Sequence, residues 1–242
     1  MRENTGGISI FSLNGNQLKI IAMVAMFFSH LALAFDPQNR VVIAFGRLAF
    51  PIFAYMIAEG CQYTKNRGKY LSLIALLAAL MQIGGYVINH SFEMSILVSF
   101  TMAIIAIYAF DVILGAGNII KKILMILPLA LVVLVTFVLP IYLKGIGFYI
   151  VYGPNGVMLP IAIYYSKSKV QKLLSAAVLL AFIAYTTGYF QQWYSLLAIP
   201  LLALYNGKRG KLKLKYLFYI FYPLQRLIIV AIEYAIAYFA SR

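Results

Sequence analysis

Long apolar runs separated by short polar breaks dominate the chain. A helix rises about 1.5 Å per residue, so about 20 apolar residues cross a hydrocarbon core about 30 Å thick. Breaks such as 36–39 and 206–210 carry turn-forming residues. The eighth run is short and is also compatible with a re-entrant segment. The pattern predicts nine membrane-spanning helices, over 18–35, 41–58, 70–88, 94–114, 121–142, 145–166, 170–190, 192–206 and 216–240.

The composition agrees with an all-α membrane bundle. Of the 242 residues, 64% are hydrophobic and 11% are charged, and the mean hydropathy is +0.91. A soluble domain is about 45–50% apolar and about 25% charged, which excludes a soluble enzyme, a secreted disulfide scaffold and a disordered chain. The single cysteine, Cys61, cannot form an internal disulfide. We expect one transmembrane domain over 18–242, preceded by an interfacial segment at 1–17.

The basic residues predict the orientation. The net charge is +14, from 20 Lys and Arg against 6 Asp and Glu. These cations cluster between the apolar runs, as in cytoplasmic loops, which argues against a nucleic-acid partner. With the N-terminus in the cytoplasm, Arg40, Lys144 and Arg242 lie outside, and Arg47 and Arg226 lie within spans. The other fifteen fall on the cytoplasmic side, namely Arg2, Lys19, Lys65, Arg67, Lys69, Lys121, Lys122, Lys167, Lys169, Lys172, Lys208, Arg209, Lys211, Lys213 and Lys215. The positive-inside rule therefore predicts nine crossings, with the C-terminus outside.

Ionisable residues inside the apolar runs are candidate functional residues, because each costs at least about 2.5–3.5 kcal/mol to insert. Lys19 and His30 are eleven residues apart, which places them on one helix face about 16 Å apart along the axis. Lys19 lies at the cytoplasmic end and His30 lies deep in the outer half. A lone buried histidine is more often a hydrogen-bonded structural residue, but a cation on the same face favours a functional role.

Two arginines lie within spans, each beside a proline. Arg47 opens the second span, and Pro51 is expected to interrupt the helix and free backbone carbonyls there. This arrangement suits a substrate-binding wall, although an arginine extending outward to the interface is the alternative. Arg226 follows Pro223, about 15 Å from the cytoplasmic end of the last span. Its alternative role is an ion pair with Glu233.

Other polar residues give weaker signals. Glu59 lies near the cytoplasmic end of its span, where it is either a site residue or paired with Lys65 or Lys69. Asp111 is close to a span end and Cys61 is expected to be a packing residue. The sequence contains no cluster with metal-ligand spacing and no nucleotide-binding fingerprint.

Six motifs, in chain order, resemble the TraX family. The resemblance runs from about residue 18 to 232, and the family is similar to the transmembrane acyltransferases. In that superfamily a cation, ten residues and then a histidine mark the first helix, as Lys19 and His30 do here. Two positions depart from the family pattern, since Ser29 stands in place of Asp and Gln225 in place of His. The motifs lie at 18–30, 46–53, 59–70, 152–157, 204–210 and 218–224.

The resemblance implies an enzyme of the bacterial inner membrane. Its reaction would move an acetyl or other acyl group from cytoplasmic acyl-CoA, such as acetyl-CoA, to a hydroxyl or amine of an exported peptide, glycan or lipid, without a metal. The alternative is a non-catalytic transporter or an assembly or immunity factor of the same fold, although paired half-repeats typical of transporters are absent from the sequence. The implied site residues are His30 and Arg47 for catalysis, Lys19, Lys65 and Arg226 for the donor, and Glu59, Tyr222 and Gln225 for the acceptor.

Overall fold

The computed structural model describes residues 12–211 and 214–240 and is a bundle of helices. The α-helices are α1 Gly15–Phe35, α2 Arg40–Gly46, α3 Ala49–Tyr63, α4 Arg67–Asn89, α5 Ile96–Leu114, α6 Ile119–Leu124, α7 Ile126–Val133, α8 Leu139–Tyr142, α9 Gly153–Tyr165, α10 Lys169–Thr187, α11 Ala198–Ala203 and α12 Lys215–Ala240. A π-helix at Leu134–Val138 joins α7 to α8, and 3₁₀-helices form at Lys144–Ile146 and Phe190–Leu197. Two short parallel strands, β1 Glu93–Met94 and β2 Tyr149–Ile150, pair with each other.

The predicted class, an all-α membrane bundle, is confirmed. Within the described residues, seven helical stretches are long and apolar enough to cross a membrane. The predicted spans at 145–166 and 192–206 hold shorter helices, because β2 and the Phe190–Leu197 3₁₀-helix occupy part of each. The seven stretches are Gly15–Phe35, Arg40–Tyr63, Arg67–Ile88, Ile96–Leu114, Ile119–Tyr142, Lys169–Thr187 and Tyr219–Ile236.

Polar caps set several helix starts. The Asn14 side chain accepts from the Gln17 backbone N–H, and the Gln17 side chain accepts from the Asn14 backbone N–H. This capping box begins α1 at Gly15, three residues earlier than the apolar run alone predicts. Ser168 and Gln171 form the same box at the start of α10. Such caps typically contribute about 1 kcal/mol each.

Helix α3 lies at the centre of the bundle. Protein buries 67% of the apolar stretch Arg40–Tyr63, which consists of α2 and α3, against 11% of the spans in α4 and α12. Fully buried side chains from neighbouring helices pack with α3 in one hydrophobic core, including Leu18, Ile104, Leu159 and Leu180. Consequently α4 and α12 lie at the periphery, where much of their apolar surface faces away from the protein.

Contacts between loops define two ends of the bundle. At the Lys19 end, the start of α1 meets the loop after α11, where the Gly15 backbone N–H donates to the Lys208 carbonyl (2.8 Å). Lys169, at the start of α10, donates to the Tyr205 carbonyl there (2.8 Å). At the opposite end, the His30 end, β1 pairs with β2. Of the predicted interfacial segment 1–17, the first eleven residues lie outside the described part of the chain.

Candidate functional site

A cavity of about 590 Å³ lies at the His30 end. It is bounded by α1, the α2–α3 junction, α4, α12, and the segments 91–96 and 151–152. Its volume is typical of small-molecule sites. Four of the predicted site residues line it, namely His30, Arg47, Tyr222 and Arg226.

A break between two helices places Arg47 at the cavity. Helix α2 ends at Gly46 and α3 begins at Ala49, so Arg47 occupies the turn between them. Pro51 falls in the first turn of α3, where its missing N–H costs no helical hydrogen bond. A helix break is therefore present beside Arg47, but it lies at 47–48 and not at Pro51, which is part of α3. Gly46 permits close packing on α1, since a Cβ there would lie 2.0 Å from the Cβ of Ser29.

The guanidinium of Arg47 has few partners. Its Nη1 donates to the hydroxyl of Tyr152 over 3.5 Å, and its buried Nε has no hydrogen-bond partner among the described residues. The Tyr152 ring stacks on Phe50 at a centroid distance of 4.1 Å, which fixes the hydroxyl beside the arginine. Tyr152 also adopts a left-handed backbone conformation (φ 61°), an arrangement uncommon for a non-glycine residue.

Gln225 contacts the imidazole of His30. Its amide nitrogen Nε2 lies 3.3 Å from His30 Nδ1, and the Gln225 side chain is almost completely buried (1% exposed). Since an amide carries both a donor and an acceptor, Gln225 can serve either tautomer of the imidazole. Its Oε1 has no partner among the described residues. A half-turn of the amide would let Oε1 accept from Nδ1–H and leave the other ring nitrogen free.

Arg226 lies in the cavity close to His30 and Tyr222. Within the described residues it forms no ion pair, so the expected partnership with Glu233 is absent. Glu93 lines the cavity at its exposed rim. Among 12–211 and 214–240, neither arginine of the cavity is ion-paired with a carboxylate, Glu93 at the rim included.

Several buried polar atoms at the cavity lack hydrogen-bond partners among the described residues. Leaving a buried polar group unpaired costs about 1–3 kcal/mol. A cluster of such groups around one cavity therefore indicates a site that a polar ligand or water completes. The atoms are Arg47 Nε, Gln82 Oε1, Ser95 Oγ and Gln225 Oε1.

Glu59 lies away from the cavity, at the Lys19 end. Its carboxylate pairs with Lys172 (2.8 Å) and accepts from the Tyr205 hydroxyl (3.4 Å). The expected pairing with Lys65 or Lys69 is wrong, because α10 brings Lys172 onto the end of α3. Asp111 similarly pairs across helices, with Arg67.

Lys19 and Lys65 also do not line the cavity. Lys19 is close to Arg209 of the loop after α11. On α1, the buried side chains of Ala22, Met23 and Met26 lie between Lys19 and His30. The predicted alignment on one helix is present, but protein side chains fill the stretch between the two residues.

Sequence reasoning missed several cavity residues. Tyr152 belongs to the motif at 152–157, yet nothing in that motif shows that a loop returns it to Arg47. Gln82 is a polar residue within an apolar run, and this exception to the apolar pattern could have identified it as a candidate site residue. Ser95 and Glu93 reach the cavity through the β1 segment, which the helical pattern did not predict. Within 12–211 and 214–240, no three His, Cys, Asp or Glu side chains come together as metal ligands.

These features define a multi-pass helical membrane protein with a cationic, histidine-containing cavity between its helices. The chain belongs to the TraX family, since the family model described as "TraX protein" matches residues 14–233. No curated protein and no solved structure matches the chain significantly.

Proposed function

We propose that this protein is a membrane acyltransferase that uses acyl-CoA, such as acetyl-CoA, as its donor. The observation that carries the proposal is the meeting of His30 with Arg47 and Arg226 at one cavity, where neither arginine forms an ion pair with any carboxylate of the described residues. A histidine beside uncompensated cations suits a reaction that moves a proton and develops negative charge on oxygen.

The reaction joins the acceptor to the acyl carbon and breaks the carbon–sulfur bond of the thioester. His30 takes the proton from the acceptor hydroxyl or amine as its oxygen or nitrogen attacks the thioester carbonyl. The tetrahedral intermediate then expels the CoA thiolate, and the imidazolium returns the proton to it. The products are the acylated acceptor and CoA thiol, with no net gain or loss of protons or electrons.

The neighbours of His30 have distinct roles in this mechanism. Arg47 donates to the oxyanion of the intermediate, an interaction that is strong in a site with little water. Arg226 lies with His30 rather than with Lys19, so it suits the acyl end of the donor or the acceptor better than the CoA phosphates. Gln225 orients the imidazole, a task that the family pattern gives to an acidic neighbour absent here. Tyr222 forms part of the acceptor wall.

The donor is proposed to approach from the Lys19 end. Lys19, with Arg209 beside it and Lys65 at the same end, would hold the phosphates of CoA. The pantetheine arm must then extend about 16 Å to reach His30. Met23 and Met26 occupy that path, and methionine side chains move aside readily because they are unbranched and flexible.

We further propose that the Lys19 end faces the cytoplasm and that the chain crosses the membrane nine times. Basic loops gather at this end, which supports the orientation. Helix α9 leads from the Tyr152 loop at the His30 end to Tyr165, which donates to Asp111 near the Lys19 end. The segment 190–203 leads back to Tyr205 and Glu59. These contacts support a crossing by each short segment.

Replacing His30 by Asn tests the proposal. Purified protein in lipid nanodiscs is given radiolabelled acetyl-CoA and a membrane extract as acceptor source, and labelled product is separated from free acetate. His90→Asn is the matched control, because His90 is exposed, lies at the same end and does not line the cavity. We expect His30→Asn to abolish transfer and His90→Asn to retain it. Full transfer by His30→Asn would refute the assignment of the base. CoA binding without transfer by the wild type would favour a transporter or an assembly factor.

A further inference from the structure

The cavity opens towards the side of the bundle. Five of the residues lining it are exposed, and one of them, Glu93, lies in a loop at the His30 end. The other four are apolar and lie in helices long enough to cross a membrane. They are Leu33 (50% exposed), Leu80 (52%), Ile88 (40%) and Leu227 (59%). The side chains at this opening therefore face the cavity and the hydrocarbon region together.

Helix α4 has two glycines at this opening, so no side chain fills the space there. Gly84 and Gly85 line the cavity between Leu80 and Ile88, and a Cβ built at either glycine has no heavy atom within 4 Å. Across the cavity, α12 contributes Leu227 and Val230. Because α4 and α12 are both peripheral and both carry exposed residues of the cavity lining, the cavity opens between them.

The interior of the cavity has the opposite character. Arg47 and Arg226 provide two positive charges without an ion pair among the described residues, and the Arg47 Nε is buried without a partner. Partly buried cations without an ion pair favour an anionic ligand, and arginine matches the oxygens of a phosphate. A ligand that fits both regions has an anionic head and a hydrocarbon tail.

We propose that the acceptor is a phosphate-bearing membrane lipid, with its head in the arginine cavity and its tail leaving beside α12 past Gly84 and Gly85. The identity of this ligand as acceptor rests on the acyl transfer proposed above, whereas its binding does not. The head must carry a hydroxyl or amine within reach of His30, which receives the acyl group. Because each methylene of the tail is more favourable in hydrocarbon than in water, the tail retains the acceptor while its head is modified.

A bulky residue at the opening provides the test. Gly85→Trp places an indole where no atom lies within 4 Å of the new Cβ. Ile83→Trp is the matched control, since Ile83 is 63% exposed on the same helix and does not line the cavity. Native mass spectrometry measures binding of dioleoyl phosphatidylglycerol, which carries a phosphate and free hydroxyls, beside dioleoylglycerol and glycerol 3-phosphate. Arg226→Gln reports the contribution of the head contact.

We expect the wild type and Ile83→Trp to bind phosphatidylglycerol, and Gly85→Trp and Arg226→Gln to bind it at least tenfold more weakly. Dioleoylglycerol and glycerol 3-phosphate should bind at least tenfold more weakly to the wild type. Equal phosphatidylglycerol binding by Gly85→Trp, or equally tight binding of glycerol 3-phosphate, overturns the lipid site. Retained transfer to a soluble peptide or glycan by Gly85→Trp overturns the lipid as acceptor while leaving acyl transfer intact. Lipid binding with the expected variant pattern, but without transfer to any acceptor, overturns the enzyme and leaves the lipid site.

Discussion

The two ends of the bundle differ in whether their buried charged residues form ion pairs. At the Lys19 end, Glu59 pairs with Lys172 at 2.8 Å and Asp111 pairs with Arg67 at 2.7 Å. These are the ion pairs present among the described residues. At the His30 end, Arg47 and Arg226 line a cavity without such a partner in the described part of the chain. The two carboxylates of the first end are thus paired with cations of the protein, while the arginines of the second end face a cavity that can hold a ligand.

This difference separates stability from function. A buried ion pair between helices holds the bundle in one arrangement, and the loss of either partner leaves an uncompensated charge. An arginine in a cavity that forms no ion pair adds little to stability, and such a group is a candidate for ligand binding. Substitutions at the Lys19 end should therefore affect stability, whereas those at the His30 end should affect activity.

Breaking the Glu59–Lys172 pair should have the largest effect. Both side chains are about nine-tenths buried (10% and 11% exposed), so Lys172→Met leaves a buried carboxylate without its cation. We expect a loss of about 3–5 kcal/mol of stability, measured as thermal and denaturant unfolding in detergent. Lys121→Met is the control, because Lys121 is an exposed lysine of α6, and it should change stability by less than about 0.5 kcal/mol.

The double variant Glu59→Met with Lys172→Met sharpens this test. Since it removes both charges and keeps apolar volume, most of the lost stability should return. A single Lys172→Met variant as stable as the wild type would show that the pair is not a structural element.

Replacing Arg47 should lower activity without lowering stability, the opposite of the effect expected at Lys172. Arg47→Met removes the proposed donor to the oxyanion, which should lower kcat by about 10²–10³, equivalent to about 2.7–4 kcal/mol. Stability should stay the same or rise slightly, because no ion pair is lost. Arg40→Met, an exposed cation at the start of α2 that does not line the cavity, is the matched control. Unfolding of Arg47→Met at a clearly lower temperature, with normal activity, would contradict the functional role.

The sequence predicts the helical bundle and the ionisable residues of the cavity, but not which residues pair with each other. Apolar run lengths give the helical bundle, and ionisable residues inside those runs identify His30, Arg47 and Arg226, which meet at one cavity. The hydrophobic periodicity does not show which residues far apart in the sequence contact each other. Lys172 lies 113 residues from Glu59, and a loop that the helical pattern did not anticipate brings Tyr152 to Arg47.

Replacing Gln225 should lower kcat moderately. It contacts Nδ1 of His30, so Gln225→Leu leaves the imidazole without its orienting partner and should lower kcat about tenfold, or about 1.4 kcal/mol. Gln225→Glu keeps an acceptor for Nδ1–H and should retain activity near that of the wild type. Steady-state kinetics of the two variants separate loss of orientation from loss of packing. Equal activity of Gln225→Leu and the wild type would remove Gln225 from the mechanism.

The smallest effect is expected at the Lys19 end, where replacing Lys19 should weaken CoA binding slightly. Acyl-CoA should raise the Tm of the purified protein, because a ligand that binds only the folded state stabilises it by mass action. Lys19→Ala should weaken CoA binding about twofold to fivefold, since one partly hydrated charge contributes about 0.3–1 kcal/mol, and should leave kcat at saturating donor unchanged. His30→Asn should keep the full CoA-induced shift, because the imidazole lies about 16 Å from the proposed phosphate site. A shift lost in His30→Asn but kept in Lys19→Ala would place the whole donor at the His30 end and reverse the proposed direction of access.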